Sequence, residues 1–175
     1  MIKATDFIHP EDAAALRQLE SIPGFPTLVK KLMSMGLEQL QYGVNMASAI
    51  RLSPSQLPKL YNRLPPICKK LGIEQPEFYL SMDPNPNAWT FGDITSGLVD
   101  MMTEEELDAV IAHECGHILC HHVLYHSIAH YVMDGLDSLG VLGSLGAPLQ
   151  YAILYWERKS ELSCDRAASI VTAPA

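Results

Sequence analysis

Apolar positions along residues 1–75 follow a helical spacing punctuated by prolines. Asp12 to Glu20 forms a short amphipathic segment, stopped by Ile22-Pro23-Gly24. Leu28 to Ala49 carries apolar residues at helical intervals, and Ser55 to Leu71 predicts another helix, broken near Pro65-Pro66 and ended by Gly72. The pattern changes at Glu74. Phe78-Tyr79-Leu80 is a strand candidate, Asp83-Pro84-Asn85-Pro86-Asn87 a turn, and Ala88 to Gly92 and Ile94 to Val99 two further strands joined around Gly92-Asp93. Together they predict a small antiparallel sheet.

The strongest helix signal follows. Thr103 with Glu106 three residues later is a capping box, and Glu104 and Glu105 place negative charge where the helix dipole favours it. Leu107, Val110, Ile111, Cys115 and Ile118 then recur on one face, so the helix is expected from Thr103 to about Tyr125 or beyond. After a Gly-rich stretch at 135–148, a last helix is predicted over Leu149 to Ile170. The fold class is α+β, mainly helical, with the sheet beside the long helix.

Composition narrows the function. A hydrophobic content of 48% with 18% charged residues is that of a globular chain. A net charge of −8 and no basic run argue against nucleic acid as a partner. Cys68, Cys115, Cys120 and Cys164 form no CxxC pair and read as reduced thiols in a cytoplasmic protein. Acidic residues in the first 17 positions leave no export signal. Leu136 to Trp156 is apolar but interrupted by Asp137, Pro148 and Gln150, so it reads as a buried or lipid-touching hairpin rather than a clear membrane span. Membrane contact and self-association both stay open through that stretch, and the oligomeric state is undetermined.

The candidate chemistry sits in His113-Glu114-Cys115-Gly116-His117. Residues four apart on a helix share a face, about 6 Å apart along the axis, so two imidazoles there can grip one cation. Glu114 flanks it and can take a proton from a water held by that cation. Zinc is the default, because it accepts mixed imidazole and carboxylate ligands and keeps a position for water. A third ligand is needed. Position 123, where one zinc-peptidase pattern places a third histidine, is Val. In a continuous helix His121 lies too far along the axis to share a cation with His113, and His122, His126 and His130 are expected to point elsewhere, solvated or hydrogen-bonded. Cys115 is expected in the core and Cys164 there too, although its spacing from Glu161 leaves it facing the site as an alternative. Glu161 and Asp165, four apart on the last helix, read alone as a polar face; they gain weight because the first motif lacks a carboxylate.

Asn87-Ala88-Trp89, Ser96-Gly97-Leu98, Thr103 to Glu106, His113-Glu114-xx-His117 and Arg158-xx-Glu161-xxx-Asp165 occur in that order. The combination, over about residues 74–168, resembles the HtpX-like gluzincin peptidases, the family that also includes the CAAX prenyl endopeptidases. The resemblance implies a zinc-dependent endopeptidase. His113, His117 and Glu161 match the metal ligands, Glu114 the general base and Asp165 the carboxylate behind a ligand, with His113 as its partner. Asn87 and Ala88 match a rim strand along which polypeptide substrate pairs. Residues 74–175 are then the catalytic domain and 1–73 an N-terminal helical region. The chain looks like the soluble members, and it ends ten residues after Asp165, where family domains usually continue, as a fragment or a minimal form would. Arg158 is open between steadying Glu161 and an ordinary surface ion pair. The alternative function is a latent or inactive zinc-binding scaffold, and beyond that a metal-free interaction module.

Overall fold

The computed structural model describes residues 7–34, 36–89, 92–133 and 146–173. Helix α1 (Pro10–Glu20) begins with proline inside its first turn, where no N–H is needed, and His9 Nδ1 accepts from the Glu11 amide. The helix expected over Leu28 to Ala49 is two: α2 (Phe25–Ser34) and α3 (Leu37–Ser48), parted at Gly36, whose φ of 71° lies in the left-handed region. Ala49 leaves the helix altogether and opens strand β1 (Ala49–Arg51). The next helix also divides, into α4 (Pro58–Tyr61) and α5 (Leu64–Leu71). The break lies at Asn62 and Arg63, ahead of Pro65-Pro66, because prolines suit the first turn of α5 rather than ending a helix.

Strands β2 (Tyr79–Ser81), β3 (Ala88–Trp89) and β4 (Asp93–Thr95) join β1 in a four-stranded sheet of order β1-β2-β4-β3. It is mixed, not antiparallel as expected: β2 and β4 run parallel, Leu80 opposite Ile94, while β1 and β3 pair antiparallel at either side. The strand expected over Ile94 to Val99 stops at Thr95. The Thr95 hydroxyl accepts from the Leu98 amide and caps α6 (Ser96–Met101), a local hydrogen bond that diverts the chain from the sheet.

Helix α7 (Glu104–Leu119) starts with the full capping box, Thr103 and Glu106 each bonding the other's backbone. It ends six residues before Tyr125. Helix α8 (Val123–Met133) follows after His121, which has a positive φ of 59°. Helix α9 (Gly146–Thr172) closes the fold. Of the apolar stretch 136–156, residues 136–145 lie outside the described residues and the remainder belongs to α9. Among the described residues no helix is long and apolar enough to cross a membrane.

Two apolar cores flank a polar seam. Leu64, Ile67 and Leu71 of α5, Leu80 and Ile94 of the sheet and Ile111 and Cys115 of α7 form the larger core, with Ala167 and Val171 of α9. Leu19, Phe25 and Leu32 of α1 and α2 form the second with Ile128 and with Leu149, Ile153 and Trp156 of α9. Helix α9 therefore runs through both. Its middle, from Ser160 to Asp165, is where polar groups meet α7 and α1. All four cysteines are free and buried, Cys115 and Cys164 among them.

Candidate metal centre

The close approach of α7 and α9 is built on Gly116. A Cβ there would stand 2.9 Å from the Cys164 Cα and 3.0 Å from the Ala167 Cβ. Glycine thus lets the two backbones meet, and the residues on either side of the crossing face one another.

His113, His117 and Glu161 converge at that crossing. His113 Nε2 lies 2.9 Å from Glu161 Oε2, and His117 Nε2 lies 3.6 Å from Glu161 Oε1. The two imidazole centroids are 5.2 Å apart, edge to face. On its other side His113 Nδ1 is 3.1 Å from Asp165 Oδ1. Burial lowers the His113 pKa, but the Glu161 hydrogen bond and the charges of Glu161, Glu114 and Asp165 more than offset it, and the net direction is upward. Burial raises Glu161, yet His113 draws it below the ordinary carboxylate value. His117 is the opposite case: burial, then the neighbouring His126, His122 and His113, push it down to about 2, so its ring stays neutral. Arg158 is exposed on α9.

His122 and His126 are hydrogen-bonded, as expected, but they face the site instead of pointing elsewhere. The expectation that they point elsewhere assumed a continuous helix. His121 follows the end of α7 with a left-handed backbone, and the His122 amide bonds the His117 carbonyl at 2.9 Å. His122 is then 1% exposed, with its Nδ1 3.2 Å from His117 Nδ1 and its Nε2 3.0 Å from Asp12 Oδ2 of α1. The His126 ring stacks edge to face on His117 with centroids 4.7 Å apart, and its Nε2 is 3.2 Å from Ser160 Oγ. His121 itself is exposed, and the His130 side chain lies outside the described residues.

Two triads among the described residues, His113/His117/Cys164 and His117/His122/His126, hold their ligand atoms within 4.8 Å of one another. Neither triad includes a carboxylate. The Cys164 thiol is fully buried, and burial pushes its pKa up in the metal-free chain.

Glu114 lies on the wall of a cleft toward the sheet, together with Phe78, Gly92, Ile94 and Ile111. Strand β3 is the last in the sheet order, so its outer edge is unpaired among the described strands. Asn87 turns its backbone inward, its carbonyl accepting from the Thr95 amide at 3.0 Å, which turns the Ala88 amide outward. Asn87 Oδ1 caps that amide at 2.9 Å.

Asp12, Gly116 and His122 were not singled out from the sequence. Gly116 inside a helix was the one local signal, since an interior glycine costs stability unless close packing requires it.

A family-wide sequence model described as "Peptidase family M48" matches residues 54–174. The chain is 34% identical over 179 residues to the "Plastoglobule-localized metallopeptidase 48, chloroplastic" of Arabidopsis thaliana, covering 97% of this chain and 52% of that protein. It is 30% identical over 112 residues to a "Protease HtpX homolog" of Pelotomaculum thermopropionicum, 56% of this chain and 40% of the relative. A third relative, the "Protease HtpX homolog" of Dictyoglomus turgidum, is 33% identical over 114 residues, 61% of this chain and 36% of its own. The chain thus spans about half the length of the first and less of the other two. No solved structure matches.

Proposed function

The chain belongs to peptidase family M48, whose members are metal-dependent peptidases, and from that premise we propose that it is a zinc endopeptidase using His113, His117 and Glu161 as ligands and Glu114 as general base. The observation that carries this reading is the meeting of two imidazole Nε2 atoms with one carboxylate across the α7–α9 crossing. The donor set fits zinc, which takes nitrogen and oxygen donors at about 2.0–2.2 Å and leaves a position open. The far nitrogen of each imidazole is also engaged, on His113 by Asp165 and on His117 by His122, as ligating histidines require.

Zinc held there supplies a Lewis acid that acidifies a water and polarises the scissile carbonyl. The remaining work belongs to the chain's own groups. Glu114, one residue beyond His113, takes the proton of the attacking water and delivers it to the leaving amine. Asp165 holds His113 in place through Nδ1. The outer edge of β3 receives an extended polypeptide by strand addition, with Ala88 pairing its backbone and the Asn87 side chain moving from the Ala88 amide to the substrate. Such pairing orders the scissile bond before reaction. Residues 74–175 form the catalytic domain, with 1–73 as its N-terminal helical region.

The test is Glu114→Gln. The variant is expected to bind one zinc per chain as the parent does, and to lose cleavage of an unfolded protein such as casein by about 100-fold or more. Zinc binding by the parent without chelator-sensitive cleavage would instead indicate a zinc-binding scaffold, and no zinc at all would remove the reading.

A further inference from the structure

Asp12 is 1% exposed, and every directed contact of its carboxylate falls on one oxygen. Oδ2 accepts from the Ser163 hydroxyl and lies 3.0 Å from His122 Nε2, while Oδ1 is buried with no hydrogen-bond partner among the described residues. The Ser163 oxygen itself accepts from the His9 amide at 3.0 Å, so its single proton points at Asp12. His122, also 1% exposed, turns Nδ1 to His117 Nδ1 at 3.2 Å. The result is a buried line of three side chains, from α1 through the α7–α8 turn to a ligand on α7.

One proton placement satisfies the contacts along this line. At 3.0 Å from Asp12 Oδ2, His122 Nε2 is the nitrogen placed to carry the hydrogen. With the single proton of the ring placed there, the His122 Nδ1 lone pair, 3.2 Å from His117 Nδ1 and 3.8 Å from Cys164 Sγ, accepts from His117 Nδ1. That leaves the lone pair of His117 on Nε2. An independent distance agrees: His117 Nε2 stands 3.6 Å from Glu161 Oε1, too long for a hydrogen bond, whereas His113 Nε2 is 2.9 Å from Glu161 Oε2. An Nε2–H on His117 would close that gap.

We propose that Asp12 and His122 are positioning residues that lock His117 in the Nδ1–H tautomer, with its Nε2 lone pair aimed at Glu161. Helix α1 of the N-terminal region is thereby part of the metal centre's support. The role in metal binding rests on the reading of His117 as a ligand; the tautomer does not, and it can be read without metal.

The experiment is long-range 1H–15N correlation NMR on the metal-free chain, paired with zinc affinity by competition with a chelator. The parent is expected to show His117 protonated at Nδ1 and bare at Nε2. His122→Phe and Asp12→Leu each remove an acceptor from the line, so His117 shifts to a mixture containing Nε2–H and zinc affinity falls about 10- to 100-fold. Asp12→Asn keeps an oxygen facing His122 and Ser163 and retains both the tautomer and most of the affinity. Merely structural residues would lower the melting temperature in these variants and leave the tautomer unmoved. An Nε2-protonated His117 in the parent overturns the proposal without any variant, as does an unchanged tautomer in both His122→Phe and Asp12→Leu. Absent zinc binding in a parent with the expected tautomer would sink the peptidase reading alone.

Discussion

His113 and His117 sit one turn apart on the same helix, yet their surroundings are opposite. His113, with 21% of its side chain exposed, has a carboxylate at each nitrogen and is drawn toward the charged form. His117, 4% exposed, has imidazole neighbours and is driven strongly toward the neutral form. One helix face therefore presents an outer ring held by charge and an inner ring held by burial and a fixed tautomer. The helix supplies spacing only; α9 supplies the carboxylates, and the turn at His121 supplies the imidazole behind His117.

The change that most severely breaks this contrast removes the group both rings share. Glu161→Ala is expected to lower zinc affinity by more than about 100-fold, since losing even a partner behind a ligand costs 10- to 100-fold; chelator competition reads it. Gly116→Val acts through the crossing. Its side chain would collide with Cys164 and Ala167, cost about 1–3 kcal/mol in denaturant unfolding and weaken zinc binding, because α9 must retreat with Glu161. Thr103→Ala removes half of the capping box and costs about 1 kcal/mol. It is expected to leave zinc affinity unchanged, separating the stability of α7 from the surroundings of its rings.

The smallest effect is the outer ring's share of the pH dependence. His113 is raised from 6.5, so its contribution to metal-free stability is full below that value and fades as pH rises through the folded value. Glu161 is lowered from 4.5, so its contribution is full above that value and fades as pH falls through the folded value. The pair therefore contributes most between about pH 4.5 and 6.5. His117 and His126, lowered from 6.5 to about 2 and about 4, oppose it: their contribution is full above 6.5 and fades as pH falls. Denaturant midpoints of the metal-free chain should therefore rise between about pH 5.5 and pH 8, and His113→Ala should steepen that rise.

The outer half of the site is legible in the chain because it is local. A capping box, an apolar stripe and two histidines four apart place His113, Glu114 and His117 on one helix without any tertiary information. Glu161 is 44 residues beyond His117 and becomes a candidate only through a missing ligand and a family resemblance. The inner half is invisible for two reasons. A left-handed backbone at His121 is uncommon for a residue other than glycine, so helical periodicity carries past it and turns His122 away. Asp12 lies more than a hundred residues from His117, in a region whose polar residues look like an ordinary amphipathic helix. The sheet fails the same way at Ile94 to Val99, where one threonine hydroxyl, not the β-branched run, decides that the strand ends.

X-ray absorption of the zinc-loaded chain tests the central claim most directly, because the three candidate ligand sets differ in their atoms. The account predicts two imidazole nitrogens with oxygen donors at about 2.0–2.2 Å and no sulfur, the imidazole signal falling by one ring in His113→Ala. A scatterer at about 2.3 Å, marking Cys164, or three imidazoles with no dependence on His113, would contradict it.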